Sequence, residues 1–167
     1  MSLDFDADEI FQMVLQIERN GLRFYQRAAQ GAKESSSGKL LLRLAAMEKD
    51  HEKIFSGMRA ELTEAERKKK ILDPGDPSSA YLRAWADQQV FNVRTDPAEK
   101  LTGKEKMEDI FQMAIGLEKE SIVFYLGMKE MIPERLGRGR IDEIIKEEMR
   151  HVDALSREFT TLTHQPL

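Results

Sequence analysis

Residues 8–25, DEIFQMVLQIERNGLRFY, align without a gap with residues 108–125, EDIFQMAIGLEKESIVFY, at an offset of 100. Ile10, Phe11, Gln12, Met13, Glu18, Phe24 and Tyr25 recur as Ile110, Phe111, Gln112, Met113, Glu118, Phe124 and Tyr125. The same offset carries Glu48 onto Glu148 and His51 onto His151. A segment used twice folds as one supersecondary unit used twice, and each copy needs the other to cover its apolar face. Apolar residues at helical spacing make that unit a helical hairpin. The expected fold class is all-α, an antiparallel four-helix bundle of two repeated hairpins.

Punctuation places the helices. The first is expected from residue 6, where Asp6 and Glu9 have capping-box spacing, to about residue 33. ESSSG supplies a turn, and a second helix follows from about 39 to 61. Thr102 and Glu105 form a second capping-box pair at the start of a third helix, which ends before Pro133. RLGRGR then separates it from a fourth helix of about 141 to 162. The chain, 1–167, is read as a single domain with hairpins at 6–61 and 102–162 and a crossover at 62–101. A structureless loop that long is unusual, and SSAYLRAWADQQVF has a capping serine followed by Tyr81, Leu82, Trp85, Val90 and Phe91. A short amphipathic helix is expected there, packed on the bundle or presented to a partner.

At about 100° per residue, each of four helices aims one glutamate along its apolar stripe. Phe11, Val14, Leu15, Leu22 and Tyr25 flank Glu18, and Phe111, Ala114, Ile115, Ile122 and Tyr125 flank Glu118. Glu48 lies among Leu41, Leu44, Ala45 and Phe55, and Glu148 among Ile141, Ile144, Ile145 and Leu155. His51 and His151 sit one turn beyond Glu48 and Glu148 on nearly the same face. A buried carboxylate ordinarily takes up a proton or pairs with a cation, so burying four together needs strong compensation. Two divalent ions balance four carboxylates and leave the imidazoles neutral.

A single Glu-x-x-His in a chain that is 34% charged is usually a solvated helix face. Here two of only three histidines carry the spacing, both pairs point inward, and both obey the repeat. The candidate metal ligands are therefore Glu18, Glu48, His51, Glu118, Glu148 and His151. His164, near the C-terminal THQPL, falls outside the pattern. Met13, Met47, Met113 and Met149 read as core fillers, because thioethers suit a hard oxygen-rich site poorly. Glu120 and Glu147 point away from the cluster and read as solvated, and Glu52 reads as a helix-edge carboxylate or an additional ligand. Tyr25 and Tyr125 are either second-sphere groups whose hydroxyls reach a ligand carboxylate or core aromatics satisfied elsewhere.

One glutamate on each of two helices and a Glu-x-x-His on each of the other two resembles the carboxylate-bridged di-iron pattern of the ferritin-like superfamily. The resemblance covers about four-fifths of the chain. Internal symmetry, a long crossover and short helices resemble its rubrerythrin-like branch. It implies Glu48 and Glu148 as bridging ligands, Glu18 and Glu118 as terminal ones, one histidine per metal, and a homodimer. Two departures stand out. Ser121 occupies the place of a further glutamate usual in rubrerythrins, and the chain has no cysteine for a rubredoxin module, so electrons would come from a separate donor.

Histidine and carboxylate ligands suit iron, with manganese or zinc as alternatives, and peroxide or dioxygen as the oxidant that meets the metals. The leading expectation is a non-haem oxidoreductase, a peroxidase or ferroxidase. The alternatives are a non-catalytic metal-binding or iron-sequestering bundle, and a metal-free interaction bundle. A net charge of −4 gives no basic surface suited to nucleic acid. No apolar run reaches the roughly 20 residues of a membrane span. Its acidic opening, MSLDFDADEIF, is unlike a signal peptide, so a soluble cytoplasmic protein is expected.

Overall fold

The computed structural model describes residues 5–70, 75–86 and 95–164. Helix α1 is Ala7–Ala28, α2 Ser36–Ala60, α5 Met107–Lys129 and α6 Arg138–Thr163; among the described residues the crossover carries two short helices, α3 (Glu64–Arg67) and α4 (Pro77–Ala86). Helix α1 packs along α2 and α5 along α6, forming the two hairpins. The described residues contain no β-strand beyond an isolated bridge between Asp6 and Lys70.

The apolar residues form two clusters, and their order along each helix fixes its direction. On α1 the first cluster takes Ala7, Ile10, Phe11, Val14 and Leu15, and the second takes Phe24, Tyr25 and Ala28. On α2 the order reverses, with Leu40, Leu41 and Leu44 in the second cluster and Phe55 and Met58 in the first. Helix α5 runs like α2, from Phe111 in the second cluster to Phe124 in the first, whereas α6 runs like α1, from Ile141 to Leu155. Helices α2 and α5 are thus parallel, and residues 62–101 must traverse the length of the bundle to join them. Between the two apolar clusters each of α1, α2, α5 and α6 carries its inward glutamate.

Local chemistry sets the ends. Asp6 and Glu9 exchange two 2.9 Å hydrogen bonds between side chain and backbone in a complete capping box. Helix α1 ends at Ala28, short of residue 33, and α2 begins at Ser36, earlier than residue 39. ESSSG is an N-cap more than a turn, because Ser35 Oγ accepts the Gly38 amide at 3.0 Å. The reversal is so tight that a Cβ on Gly38 would lie 1.9 Å from the Ala32 carbonyl oxygen. The Thr102–Glu105 pair forms at 2.6 Å, but in a turn containing Gly103 at φ 84, ahead of an α5 that starts at Met107 with no side-chain cap. Before α6, a 3-10 turn, Glu134–Leu136, leads into Gly137, also at φ 84.

In the crossover, Asp76 receives the amides of Ser78 (at Oδ1, 3.1 Å) and Ala80 (at the carbonyl, 3.1 Å), so an aspartate replaces the expected capping serine. Leu82 is buried in the first apolar cluster with Tyr81 packed beside it, so α4 lies on the bundle against α5. The Trp85 side chain, Val90 and Phe91 lie outside the described residues. Among the described residues no helix is long and apolar enough to cross a membrane.

Candidate metal centre

Glu18, Glu48, His51, Glu118, Glu148 and His151 meet at the level between the two apolar clusters, each 5% exposed or less. Their donor atoms fall into two overlapping groups: Glu18, Glu48, His51 and Glu148 in one, and Glu48, Glu118, Glu148 and His151 in the other. Within each group, one donor atom per residue lies within 4.8 Å of all the others. Glu48 and Glu148 belong to both. Glu148 reaches both imidazoles, Oε1 lying 2.9 Å from His51 Nδ1 and Oε2 2.8 Å from His151 Nδ1. The rings stack nearly parallel, with centroids 5.8 Å apart.

Whether this donor set fits metal ions is tested by where its polar atoms point. Glu18 Oε2, Glu48 Oε1, both Glu148 oxygens and both Nδ1 atoms are buried without a properly directed hydrogen bond. Buried polar groups are nearly always paired, so this many orphans aimed at one small volume need a further partner. Oxygen and imidazole donors, four carboxylates and two neutral rings match two divalent cations in number, charge and hardness. The residues fit the group.

Protonation in the metal-free cluster leads to the same conclusion. Burial pushes the Glu48 carboxyl well above its usual range, reinforced by the charges of Glu148, Glu118 and Glu18. Burial also raises Glu18, and it lifts Glu118 to about 8 with help from the Glu148 charge. Glu148 is held low in spite of burial, by the imidazoles of His151 and His51 close beside its two oxygens. Burial opposes charge on the imidazoles, yet Glu148 and Glu18 raise His51 to about 11, and Glu118 and Glu148 raise His151 to about 9. Without cations, the cluster neutralises itself with protons.

Tyr25 on α1 donates its hydroxyl to Glu118 Oε1 on α5, and Tyr125 on α5 donates to Glu18 Oε1 on α1. The repeat thus crosses over: each hairpin's tyrosine holds the other hairpin's glutamate. Burial raises both phenols well above their ordinary value, so both stay O–H donors.

A cavity of about 20 Å³, space for roughly one water molecule, adjoins Glu48, Glu118 and Tyr25 and is bordered by Gly21, Ser121 and Pro97. Gly21 and Ser121 are repeat equivalents. A Cβ on Gly21 would meet Glu48 Oε2 at 3.2 Å, so glycine admits the carboxylate against α1. Ser121 hydrogen bonds to the Leu117 carbonyl at 3.1 Å.

The remaining candidates lie outside the cluster. Glu52 pairs with Arg19 at 2.6 Å on the surface, His164 is exposed, and Glu120 is half-buried where solvation was expected. Met13 and Met113 pack against the apolar clusters, but Met149, expected in the core, is 51% exposed on the outer side of α6. Glu147 departs most from expectation. Its backbone position is off the inward direction, yet its Oε2 lies 2.7 Å from His51 Nε2, on the side of the ring away from the cluster. Helical projection misses it because the carboxylate crosses to a neighbouring helix; the only sequence signal is a second acid beside Glu148.

A solved structure from Thermotoga maritima, designated a ferritin-like diiron-carboxylate protein, matches this fold with a TM-score of 0.69 over 96% of this chain and 98% of its own, at 19% identity. No protein-family model matches the sequence, and no curated protein does. The likeness extends over the crossover as well as the hairpins, and the fold is ferritin-like.

Proposed function

We propose that the chain is a carboxylate-bridged di-iron protein of the rubrerythrin-like type, reducing hydrogen peroxide or oxidising ferrous iron with peroxide or dioxygen. The observation that carries this reading is the pair of overlapping four-ligand groups sharing Glu48 and Glu148. Glu18 and His51 complete one position, and Glu118 and His151 the other. A ferrous pair bound there would supply two electrons, which with two protons convert one hydrogen peroxide into two waters.

The chain's own residues define the conditions for that reaction. Tyr25 and Tyr125 fix the two terminal carboxylates from across the bundle. Apolar clusters on either side limit bulk water, while the small cavity at Glu48 and Glu118 suits water-sized molecules such as peroxide and dioxygen. The sequence contains no cysteine, so re-reduction falls to a separate electron donor. Protection against oxidative stress is the role such an activity would serve.

Ser121 favours a second reading, metal binding without turnover. Its hydroxyl is committed to the Leu117 carbonyl, and no carboxylate stands there to exchange as a ligand. Loading metal-free protein anaerobically with ferrous iron and adding peroxide separates the two. Two irons per chain, oxidised rapidly and re-reducible, are expected for the oxidoreductase. Bound metal that does not cycle would establish the second reading, and absence of bound metal would overturn both.

A further inference from the structure

The repeat makes the six candidate ligands pseudosymmetric, but the groups behind the two histidines differ. Behind His51 stands Glu147, its Oε2 2.7 Å from Nε2. The residue equivalent to Glu147 in the first hairpin is Met47, and His151 Nε2, buried in a residue 2% exposed, has no hydrogen-bond partner. We propose that the two metal positions are unequal, and that Glu147 makes the His51 position the tighter one, filled first.

Tautomer and electrostatic field both distinguish the two positions. A ligating imidazole presents the lone pair of one nitrogen while the other carries the proton, and an acceptor on that second nitrogen fixes both tautomer and ring orientation. With a cation in place of the Nδ1 proton, Glu147 accepts from His51 Nε2–H and the Nδ1 lone pair faces the volume bounded by Glu18 and Glu148. The same tautomer of His151 would bury an unsatisfied N–H, so its binding-competent form has no equivalent support. Glu147 also adds negative charge on one side only, favouring a cation at the nearer position. It is a positioning residue, with 37% of its side chain exposed, and replacing it by an isosteric amide removes no core packing.

This inference rests on the dinuclear reading of the cluster, and the test separates the two. Metal-free protein is titrated with Co²⁺ alone, by calorimetry and by the visible absorption of bound cobalt. The expected result is two ions per chain with resolved affinities. Glu147→Gln should weaken the tighter step about 10- to 100-fold, leaving the second step within about threefold of its original value. Met47→Glu should tighten the weaker step, and Glu147→Asp should restore part of the loss. Nitrogen NMR of protein loaded with diamagnetic Zn²⁺ should show the His51 Nε2–H better protected from solvent exchange in wild type than in Glu147→Gln. Two ions bound with equal affinity, or unequal steps that Glu147→Gln leaves unchanged, would overturn the inference and leave the dinuclear reading standing. No bound cobalt would overturn both.

Discussion

Six ionisable side chains sit where a helical bundle would ordinarily place leucine, and two tyrosines hold two of them, Glu18 and Glu118. Tyr25→Phe leaves a buried Glu118 oxygen without its donor, and Tyr125→Phe does the same to Glu18. An unsatisfied buried acceptor costs about 1–3 kcal/mol, so each variant should lose stability in that range, measurable by urea denaturation of metal-free protein. Because the two contacts are repeat equivalents, the losses should be similar, and both variants should still bind two metals. A loss of metal from either would make tyrosine more than a support. Glu18, Glu48, His51, Glu118, Glu148 and His151 were legible in the sequence because helical angle and the repeat independently select them. Glu147 was not, since a side chain that reaches across to another helix leaves no periodic signal.

At the scale of helices, inward faces could be read well and ends less well. Apolar period reports burial, which extends over many residues, whereas an end is decided by one or two hydrogen bonds. Thr102 and Glu105 satisfy the capping pattern and do hydrogen bond, yet they close a turn before α5. The early start of α2 depends on Gly38, whose Cβ would overlap the Ala32 carbonyl oxygen. Gly38→Ala should therefore cost about 3 kcal/mol or more, read from the urea midpoint, although alanine is the better helix former. A neutral effect would mean that the α1–α2 turn opens freely.

The start of α1 is tied to α2 and α3 through Asp8, which accepts from Arg59 at 2.8 and 2.9 Å and from Arg67 at 2.5 Å. The Arg59 hydrogen bond, with smaller help from Gln12 and the two arginine charges, outweighs burial and lowers the Asp8 carboxyl to about 2. A carboxylate lowered in the folded state stabilises fully above its unfolded value of about 3.9, and that contribution disappears as pH falls toward 2. Asp8→Asn should cost about 1 kcal/mol at pH 7. The difference from wild type should shrink as pH falls from about 4 through about 2, as followed by urea denaturation across that range.

For the whole molecule, duplication explains both the fold and its centre. Two hairpins that each bring one Glu helix and one Glu-x-x-His helix must face each other to cover their apolar stripes, and facing each other converges the ligands. The parallel course of α2 and α5 follows from the order of the apolar clusters and requires a crossover as long as the bundle. That crossover was the least legible region, since its contacts depend on single residues such as Leu82 and Asp76 rather than on a period. The central claim is that the converged carboxylates are held for two metal ions. Its most direct measurement is the metal content of the chain after anaerobic ferrous loading and removal of free iron, in wild type and in Glu148→Ala. Two irons per chain are expected in wild type and fewer than one in the variant, because Glu148 is shared by both positions. A wild type that retains no iron, or a Glu148→Ala protein that still retains two, would contradict it.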